Sequence, residues 1–515
     1  MDIATKYSSR SKSSTKPNRL SPFNFSFMHL TPVNERPKLT HLLLLFIGFT
    51  LLFSLGNQTL PLIDRDEPRF AEASREMLQT GDWIVPHFNA APRYDKPPLV
   101  YWMQLGCYRV FGSTGGAGAF AARLPAVLCT AMSCVLLAMW GARLGGEKIG
   151  MRAAIIYGLC VQVFVHGRAA VADPPMVLFT IAAAWAGWEW LQHPRRFVAA
   201  LIFWISLAMG FLAKGPIAWV PLGMVGWAFW RTYGIAKEEE TRPPGWFPML
   251  LGSTLMLGIV AVWGIPALLR TQGEFAAVGL GEHVVGRSLV SMEGHGAKNL
   301  MGYILTLPLY FITVFPSFAP WSFWLPAALR FHWRNPSPAN LYLGSGVIIT
   351  FGIFTLSRTK LPHYTLPCFP FLAVLVACWW EENRNVKLWR NVALATVAVF
   401  VLAPVVLFGP VRALSVTEAM VRELAPVLKA DTAVALVDFQ EPSLIWGVRG
   451  VVNGYPEVIG VDRVSEWLAL PGPRVCILTE EASQKIPGTW PQTRALGWNF
   501  AKGKRVALIA LHSNS

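Results

Sequence analysis

This chain has few charged residues, and its sequence contains no CxxC motif. Of 515 residues only 15% are charged, against about 25% in soluble domains, while 53% are hydrophobic and 22 are tryptophan. That shortage excludes an ordinary soluble enzyme and is typical of a membrane protein. The seven cysteines form no CxxC pair and mostly lie in apolar stretches, so they say little about the redox compartment.

Acidic residues are the rarer charge: 30 Asp and Glu stand against 45 Lys and Arg, a formal net charge of +15. Such an excess also suits nucleic acid, but the sequence contains no compact basic domain. The cations instead flank hydrophobic runs, where Lys and Arg favour retention on the cytoplasmic side of a membrane. Nucleic acid is therefore not an expected partner, whereas membrane lipids are.

Long apolar runs recur along the chain, and most approach the roughly 17 to 25 residues that cross a bilayer as a helix. We predict a polytopic α-helical membrane protein with about 11 to 13 transmembrane helices. The short run 98–112 would be about 22 Å long against a hydrocarbon core of about 30 Å, so we expect it at the interface. The other runs are 40–56, 119–142, 149–166, 174–192, 198–213, 215–230, 247–269, 300–329, 340–357, 364–380 and 390–408.

The basic residues predict the orientation of these runs. If 98–112 does not cross, five basic clusters share one side with the basic N-terminus, as the positive-inside rule requires. The clusters begin at Arg143, Arg195, Arg231, Arg330 and Arg384. The opposite, external side then carries residues 57–118, 167–173, 214–216, 270–299, 358–363 and the tail beyond 410.

Three regions follow from this pattern. Residues 1–39 are basic and rich in serine, and we expect a disordered cytoplasmic tail. Residues 40–408 form the membrane domain with external loop 57–118. Residues 410–515 are more polar and predict a small soluble α/β domain. Its helical run is 417–430, and its strand-like runs are 432–438, 474–479 and 505–511.

The least expected stretch is DRDEPRFAEASREMLQTGDW, residues 64–83, which carries nine charges directly after the first apolar run. We expect Asp66 to cap a helix, with Pro68 in its first turn and Gly81 just past its end. Charged residues occupy the other faces of this helix, which suits a membrane surface. The residues expected on its apolar face are Phe70, Ala73, Met77 and Leu78.

Ionisable residues gather on the predicted external side, at the ends of membrane spans. Such groups are energetically costly there unless they form ion pairs or serve a function. An isolated Asp such as Asp66 is usually only a helix cap, but the wider pattern argues for a functional site on this side. The residues in question are Asp66, Glu67, Asp95, Lys96, Asp173, Glu282, His283, Arg287, Lys360 and Tyr364.

The first external loop carries a family resemblance. DRDEPRFAEASREMLQTGDWIVPHFNAAPRYDKPPLVYW resembles the first external loop of the aminoarabinose transferases that modify lipid A. It also resembles that of the broader protein-O-mannosyltransferase-like group, which has the GT-C glycosyltransferase fold. The resemblance covers about residues 40–380, and the tail beyond 410 matches only in position and general character. It continues in order through ARLPAVLCTAMSCVLLAMWGARLGG, VADPPMVLF, FLAKGPIAWVP, GEHVVGR and SRTKLPHYTLPCFP.

The resemblance implies a membrane glycosyltransferase. Such an enzyme takes a sugar from a polyprenyl phosphate at the periplasmic side of the bacterial inner membrane. It transfers that sugar to lipid A or a related envelope glycolipid. The residue types suit this reaction, because a leaving phosphate needs fixed cations and an acceptor oxygen needs a carboxylate that orients or deprotonates it.

The resemblance also implies residue roles. Asp66, with Glu67 beside it, matches the acid that orients or activates the acceptor, and Asp173 matches a second functional acid. Asp173 equally suits a helix cap. The donor-phosphate-binding candidates are Lys96, Arg287, Lys214 and Lys360, of which the last two equally suit snorkelling anchors. The substrate-binding candidates are Tyr364, His283, Asp95 and Arg69. Interfacial packing is an alternative for Tyr364 and the favoured interpretation for His283.

Cofactor use is not indicated by the sequence. Asp64-Arg65-Asp66 forms a D-x-D, a pattern that in some glycosyltransferases holds a divalent metal. The signal is weak, because a metal needs several further oxygen ligands. We therefore expect no cofactor, with a divalent metal left open.

Two other functions stay open. A protein O-mannosyltransferase with the same fold would transfer its sugar to a polypeptide. A transporter would instead move the lipid-linked sugar without cleaving it, and transporters carry repeats and polar groups near the bilayer midplane. The charges of this chain concentrate at one membrane face, which favours an enzyme.

Overall fold

The apolar runs form helices, because a backbone inside a bilayer must satisfy its hydrogen bonds internally. The computed structural model describes residues 36–233, 245–286 and 300–513, so nearly all of the tail predicted over 1–39 lies outside the described residues. The first ten helices are α1 (Leu39–Ser54), α2 (Asp66–Thr80), α3 (Leu99–Phe111), α4 (Gly115–Gly145), α5 (Glu147–Gly158), α6 (Val161–His166), α7 (Asp173–Gln192), α8 (Phe197–Lys214), α9 (Val220–Tyr233) and α10 (Trp246–Arg270).

The helical part continues to residue 414. A π-helix, Ala277–Gly286, follows α11, and 3-10 helices cover Pro216–Trp219, Trp321–Trp324 and Pro362–Cys368. The α-helices here are α11 (Glu274–Ala276), α12 (Leu300–Thr306), α13 (Leu309–Ser317), α14 (Leu325–Arg334), α15 (Pro338–Leu356), α16 (Phe369–Asn383) and α17 (Val386–Leu414).

Six helices in the described ranges are long and apolar enough to cross a membrane, or seven if the bent pair α12 and α13 counts as one span. Several carry exposed apolar side chains, among them Val262 and Leu269 on α10 and Val405 on α17. Outward-facing apolar side chains in this number suit contact with lipid. Two predicted runs are broken: 149–166 divides into α5 and α6, and 300–329 divides near Pro308, where proline interrupts a helix.

The junction at Lys214 separates two helices. α8 ends at Lys214, Gly215 has φ 86°, and a 3-10 turn leads into α9. A positive φ of this size favours glycine, which has no Cβ to clash with the backbone. The runs 198–213 and 215–230 therefore form two helices, as their separate apolar runs predict, and Lys214 stands at the turn.

The charged stretch forms α2, and Gly81 (φ 73°) ends it as predicted. The predicted cap is wrong: the helix begins at Asp66 itself, Arg65 holds the cap position, and no side chain caps the first turn. The apolar face packs as expected, with the Phe70 ring 5.5 Å from the ring of Tyr101 on α3. The opposite face is not solvated, since Glu72, Arg75 and Glu76 are buried. The charged side chains of this helix are therefore covered by protein.

The C-terminal region contains a mixed sheet in the order β4-β3-β5-β7-β6. β3 runs parallel to β4 and β5, while β7 is antiparallel to β5 and β6. The apolar residues Leu436, Ile477 and Ala510 lie side by side across the three central strands. The strands are β3 (Ala433–Val437), β4 (Glu457–Val458), β5 (Arg474–Thr479), β6 (Gln492–Asn499) and β7 (Lys504–His512), and a separate hairpin in the first loop pairs β1 (His87–Phe88) with β2 (Ala91–Pro92).

Short helices cover this sheet and connect its strands. They are α18 (Val416–Leu424), α19 (Pro442–Arg449), α20 (Val464–Leu468) and α21 (Glu480–Ser483), with a 3-10 turn at Val461–Arg463. The predicted strand runs 432–438, 474–479 and 505–511 coincide with β3, β5 and β7. β6 was missed, because its sequence contains few β-branched side chains and its buried positions hold Ala495, Gly497 and Asn499, while Leu496 and Trp498 are exposed.

Helix α19 packs on the polar face of α2 and buries its charges. The Arg75 guanidinium lies 4.0 Å from the ring centroid of Trp446 and donates to the Trp446 carbonyl oxygen at 2.8 Å. Arg449 donates to Gln79 Oε1 at 2.6 Å, and its Nε lies 3.4 Å from Glu72 Oε1. Ion pairing lets Glu72 remain buried. These contacts hold the start of the first loop against the C-terminal region.

A second contact between the same parts involves the carboxylate of Asp64. Asp64, just before α2, accepts hydrogen bonds from the backbone N–H (2.8 Å) and the hydroxyl of Ser443 on α19. Burial raises the pKa of Asp64 to about 6, although the bonds from Ser443 partly offset this. An acid whose pKa is raised on folding binds its proton more tightly in the folded state, so stability falls as pH rises between the two values.

We therefore expect the Asp64→Asn variant to remove a pH-dependent part of stability. Relative to this variant, the parent protein should lose thermal stability as pH rises from about 4 to about 6, the window between the unfolded and folded pKa of Asp64. Thermal unfolding of the purified protein at several pH values measures the difference. An identical pH dependence in parent and variant, or a parent that gains on the variant with rising pH, would contradict this assignment.

Candidate active site

The ends of several helices enclose a cavity of about 660 Å³. Its polar side chains come from the first loop, from the start of α7, from the end of α8 and from the segment after α15. Its apolar wall comes chiefly from α10, with Leu257, Val260 and Leu268. A site with polar groups at one end and a long apolar wall suits a ligand with a polar head and a hydrocarbon tail.

The cavity brings together most of the residues singled out in the sequence. Segments about 300 residues apart contribute to it. They are segments that the predicted topology places on the same, external side of the membrane. The predicted site residues that line it are Asp66, Arg69, Asp95, Lys96, Asp173, Lys214 and Tyr364. Their roles stay predictions, but their convergence in one chamber is a finding.

Asp66 is the exposed acid of this chamber. It is the first residue of α2, and its side chain faces the cavity without capping the helix. Asp66 lies within electrostatic reach of Arg93, a buried guanidinium that also lines the cavity. A carboxylate that is accessible and makes no capping bond is placed to accept a proton from a bound ligand.

Asp173 and Lys214 form a close ion pair that also lines the cavity. The Lys214 ammonium donates to Asp173 Oδ1 at 2.5 Å. Asp173 begins α7, with Pro174 and Pro175 directly after it, and Lys214 ends α8. An ammonium has three donors, so Lys214 can hold Asp173 and still bond to an anion in the cavity. Its nitrogen also lies 6.0 Å from the ring centroid of Tyr364.

The loop after the β1–β2 hairpin supplies a second cationic wall. Arg93 donates through Nε to the Tyr101 hydroxyl at 3.1 Å, and its Nη1 lies 3.0 Å from Asp95 Oδ2. The Lys96 ammonium donates to the Asp95 carbonyl oxygen at 3.0 Å. These bonds fix the loop, so Arg93 and Lys96 are presented to the cavity by a rigid support.

Arg93 and His363 line the cavity although sequence reasoning did not single them out. Arg93 stands two residues before Asp95 in the quoted loop, which is the signal that would have found it. The ring of His363 lies 5.1 Å from Tyr364 and 4.7 Å from His166, between centroids. His363 directly precedes the predicted Tyr364, so its neighbour already marked the place.

Two predicted site residues lie elsewhere. Glu67 is buried behind Asp66 and does not line the cavity; both of its carboxylate oxygens bond to Arg123. Lys360 donates to the carbonyl oxygens of Phe354, Thr355 and Ser357 at 3.2, 2.6 and 2.8 Å. A lysine at the last carbonyls of a helix stabilises that helix end, so we assign Lys360 to α15 and not to a phosphate.

The other predictions concern Arg287, His283 and the D-x-D acids. Arg287 and the side chain of His283 lie outside the described residues. The D-x-D acids separate, since Asp64 bonds to Ser443 while Asp66 faces the cavity. Within 36–233, 245–286 and 300–513, no group of three His, Cys, Asp or Glu is placed to hold a metal ion.

A second, smaller cavity of about 320 Å³ lies between the first loop and the C-terminal region. Arg65 and Arg69 of the first loop face Glu441 and Lys502 across it, and Arg69 lines both cavities. Glu441 lies 3.5 Å from Arg65 Nε and 3.9 Å from Lys502 Nζ. Its walls are polar, so it suits a hydrated head group and not a lipid tail.

Comparison with solved structures defines the class of protein. ArnT from Cupriavidus metallidurans bound to undecaprenyl phosphate superposes with a TM-score of 0.70 and covers 92% of this chain and 98% of that chain, at 19% identity. The apo form of the same protein gives 0.67. The chain therefore has the helical GT-C membrane fold.

Sequence comparison gives the particular relationship. An undecaprenyl phosphate-alpha-4-amino-4-deoxy-L-arabinose arabinosyl transferase of Enterobacter sp. (strain 638) is 31% identical over 382 residues, covering 70% of this chain and 65% of that protein. The transferase of Aeromonas hydrophila is 30% identical over 389 residues, covering 72% and 66%. A family model described as dolichyl-phosphate-mannose-protein mannosyltransferase matches residues 95–265.

The matches span slightly less than two thirds of the length of these relatives. By sequence the chain is similar to aminoarabinose transferases over about 70% of its length, which agrees with the resemblance of its loop motifs.

The Asp173–Lys214 pair generates a stability prediction. Lys214→Ala leaves a buried carboxylate without its counter-charge, so we expect a loss of about 3 kcal/mol. Replacing both partners, as Asp173→Asn with Lys214→Met, should recover part of that loss, because no buried charge remains. Thermal unfolding in detergent measures both effects.

The control for this pair is Arg196→Ala. Arg196 Nη1 lies 3.3 Å from Glu189 with its own side chain about half exposed, and an exposed pair contributes little. If Lys214→Ala were no more destabilising than Arg196→Ala, the buried pair would not be structural.

Proposed function

We propose that this protein transfers a sugar from a polyprenyl phosphate to lipid A or a related envelope glycolipid. The observation that carries the proposal is the single chamber that joins Asp66, Lys96 and Lys214 to an apolar wall. The relatives' names support the donor: they are arabinosyl transferases named for an undecaprenyl phosphate sugar. ArnT bound to undecaprenyl phosphate is further support.

The reaction is assigned to the chain's own residues as follows. An acceptor oxygen attacks the anomeric carbon of the sugar as its proton passes to Asp66. The bond from that carbon to the phosphate oxygen breaks, and the phosphate leaves with the electron pair. Lys96 and Lys214 compensate the charge on the leaving phosphate, with Arg287 as a further predicted contact. Asp173 holds Lys214 in place, and no metal takes part in this scheme.

The sugar and the acceptor are assigned to different sides of Asp66. Tyr364, Asp95 and Arg69 are proposed to bind the sugar, and His283 remains a candidate. The polar second cavity, which shares Arg69 with the main chamber, is proposed to seat the polar head of the acceptor. The donor tail then lies along α10, where apolar side chains of the cavity wall such as Leu257 and Leu268 are exposed.

The membrane arrangement is part of the same proposal. We infer a multi-pass protein of the bacterial inner membrane, with about 11 to 13 spans within residues 40–408. The cavity faces the periplasm, and residues 1–39 extend into the cytoplasm. Residues 410–515 form a soluble periplasmic α/β domain, which is supported by the five-stranded sheet and its contacts with the external loop. Neither a cofactor nor nucleic acid is invoked.

The Asp66→Asn variant tests the chemical role of Asp66. We expect it to lower the rate of sugar transfer on the order of 100-fold or more, because the amide cannot take the acceptor proton. Donor binding should stay within about two-fold of the parent, since the cations that face the phosphate are unchanged. The assay uses purified protein, a radiolabelled undecaprenyl phosphate sugar, and separate binding and transfer measurements.

Asp431→Asn is the matched control, because Asp431 is an exposed acid of the C-terminal region that lines neither cavity. Full transfer by Asp66→Asn would remove Asp66 from the mechanism. Movement of the intact lipid-linked sugar, without cleavage, would support the transporter alternative.

Acceptor identity is tested by mass spectrometry of the cell envelope. We expect glycolipids from cells that express the parent protein to carry a sugar adduct that is absent in cells expressing Asp66→Asn. The second candidate, a polypeptide acceptor, is favoured by the description of the family model. Label recovered in protein and not in glycolipid would replace the leading proposal with that one.

A further inference from the structure

Glu67 is a buried acid directly beside the exposed Asp66. Its Oε1 accepts from Arg123 Nε and from the Ala170 backbone N–H, both at 2.8 Å. Its Oε2 accepts from Arg123 Nη2 at 2.7 Å and from the Ile63 N–H at 2.8 Å. Burial alone would raise the pKa of Glu67, but Arg123 and these donors hold it below its ordinary value. The carboxylate is therefore ionised and fully engaged.

Arg123 ties this carboxylate to the end of the first helix. It lies on α4, is fully buried, and forks onto Glu67 through two nitrogens. Its remaining bonds go to the carbonyl oxygens of Asn57 (2.7 Å), Leu60 (2.6 Å) and Pro61 (2.8 Å). A planar guanidinium satisfies this many acceptors in one fixed orientation. The segment that leads into Asp66 therefore cannot shift independently of α4.

The same carboxylate bonds to the segment before Asp173, which forms a second wall of the active-site cavity. Ala170, whose N–H bonds to Glu67, stands three residues before Asp173. Arg168 in the same segment donates to Asn57 Oδ1 from Nε (3.1 Å) and Nη2 (2.8 Å). Glu67 thus connects the start of α2, which carries Asp66, to the start of α7, which carries Asp173 and through it Lys214.

We propose that Glu67 is a positioning residue that sets Asp66 against the Asp173–Lys214 pair, with Arg123 holding its carboxylate. The inference rests on the proposed function for its consequence in catalysis. In transfer, Asp66 must meet the acceptor proton while Lys214 meets the leaving phosphate, so the separation of the two walls decides whether both contacts form at once. A misplacement of about 1 Å can cost on the order of 100-fold in rate.

The Glu67→Gln variant is the sharpest probe of this link. Each oxygen of Glu67 faces two donors, so in either orientation the amide group of glutamine points N–H at N–H. Glu67→Asp is the milder variant, which keeps the charge but withdraws the carboxylate by one methylene. Arg123→Lys keeps the positive charge of the partner but loses the pair of guanidinium nitrogens that bonds to both oxygens of Glu67. Glu189→Gln is the matched control, because Glu189 pairs with Arg143 at 3.0 Å at the far end of α7.

Two measurements separate positioning from chemistry. Hydrogen exchange of the backbone at residues 167–173 reports the bond from Ala170 to Glu67 and needs no activity. We expect exchange there to be at least about ten-fold faster in Glu67→Gln and Arg123→Lys than in the parent and in Glu189→Gln. Steady-state kinetics should show kcat per folded molecule lowered about 10- to 100-fold, with donor KM within about three-fold. The pH profile should keep its shape.

The double variant Glu67→Gln with Arg123→Lys should lose no more than the worse single variant, because both changes break one link. If Glu67→Gln does not fold, Glu67→Asp and Arg123→Lys carry the comparison.

The opposite results overturn the assignment. Unchanged exchange at 167–173 would show that Glu67 does not hold the second wall. Lower thermal stability with kcat per folded molecule within two-fold of the parent would leave Glu67 a stability residue only. Loss of one limb of the pH profile in Glu67→Gln alone would make Glu67 a chemical acid. Failure of the parent to transfer sugar would refute the proposed function, while the exchange comparison would still decide whether Glu67 joins the two walls.

Discussion

Charge at the edge of an apolar bundle must be compensated, and this constraint organises the external face of the molecule. An unpaired buried carboxylate or guanidinium costs several kcal/mol, whereas a paired one is tolerated. Three buried acids on this side of the molecule accordingly have a cationic partner: Glu67 has Arg123, Asp173 has Lys214, and Glu72 has Arg75. These pairs join elements that are far apart in sequence. Asp66, by contrast, is exposed to the cavity, where a ligand can reach it.

The sequence predicted the location of the site more accurately than the contacts between its residues. The predicted topology placed Asp66, Lys96, Asp173 and Lys214 on the external side of the membrane. This prediction was possible because the positive-inside rule depends on short segments close to each span. Which of those residues pair with each other depends on packing between distant helices, and no local pattern carries that information. Glu67 and Lys360 were therefore assigned to chemistry, although the first bonds to Arg123 and the second bonds to the last carbonyls of α15.

Helix α2 shows the same limit. Its helical period and its glycine end are local properties, and both were predicted. Its apolar face was also correct. Nothing in its sequence predicted that Trp446 and Arg449, about 370 residues later, bury its polar face. Charges that pair with a distant segment are indistinguishable in sequence from charges on a solvated face. The C-terminal region therefore contributes to the position of Asp66 through α2, a role that its own sequence does not indicate.

The two cavities and the shared Arg69 give the proposed reaction a direction, with the lipid donor entering along α10 and the acceptor head entering from the C-terminal side. The measurement that tests this most directly is a structure of the protein with undecaprenyl phosphate bound. We expect the phosphate within hydrogen-bonding distance of Lys96 and Lys214, close to Asp66, and the tail along the apolar wall of α10. A phosphate bound outside this chamber, with Lys96 and Lys214 left in contact only with protein, would contradict the assignment of the cavity.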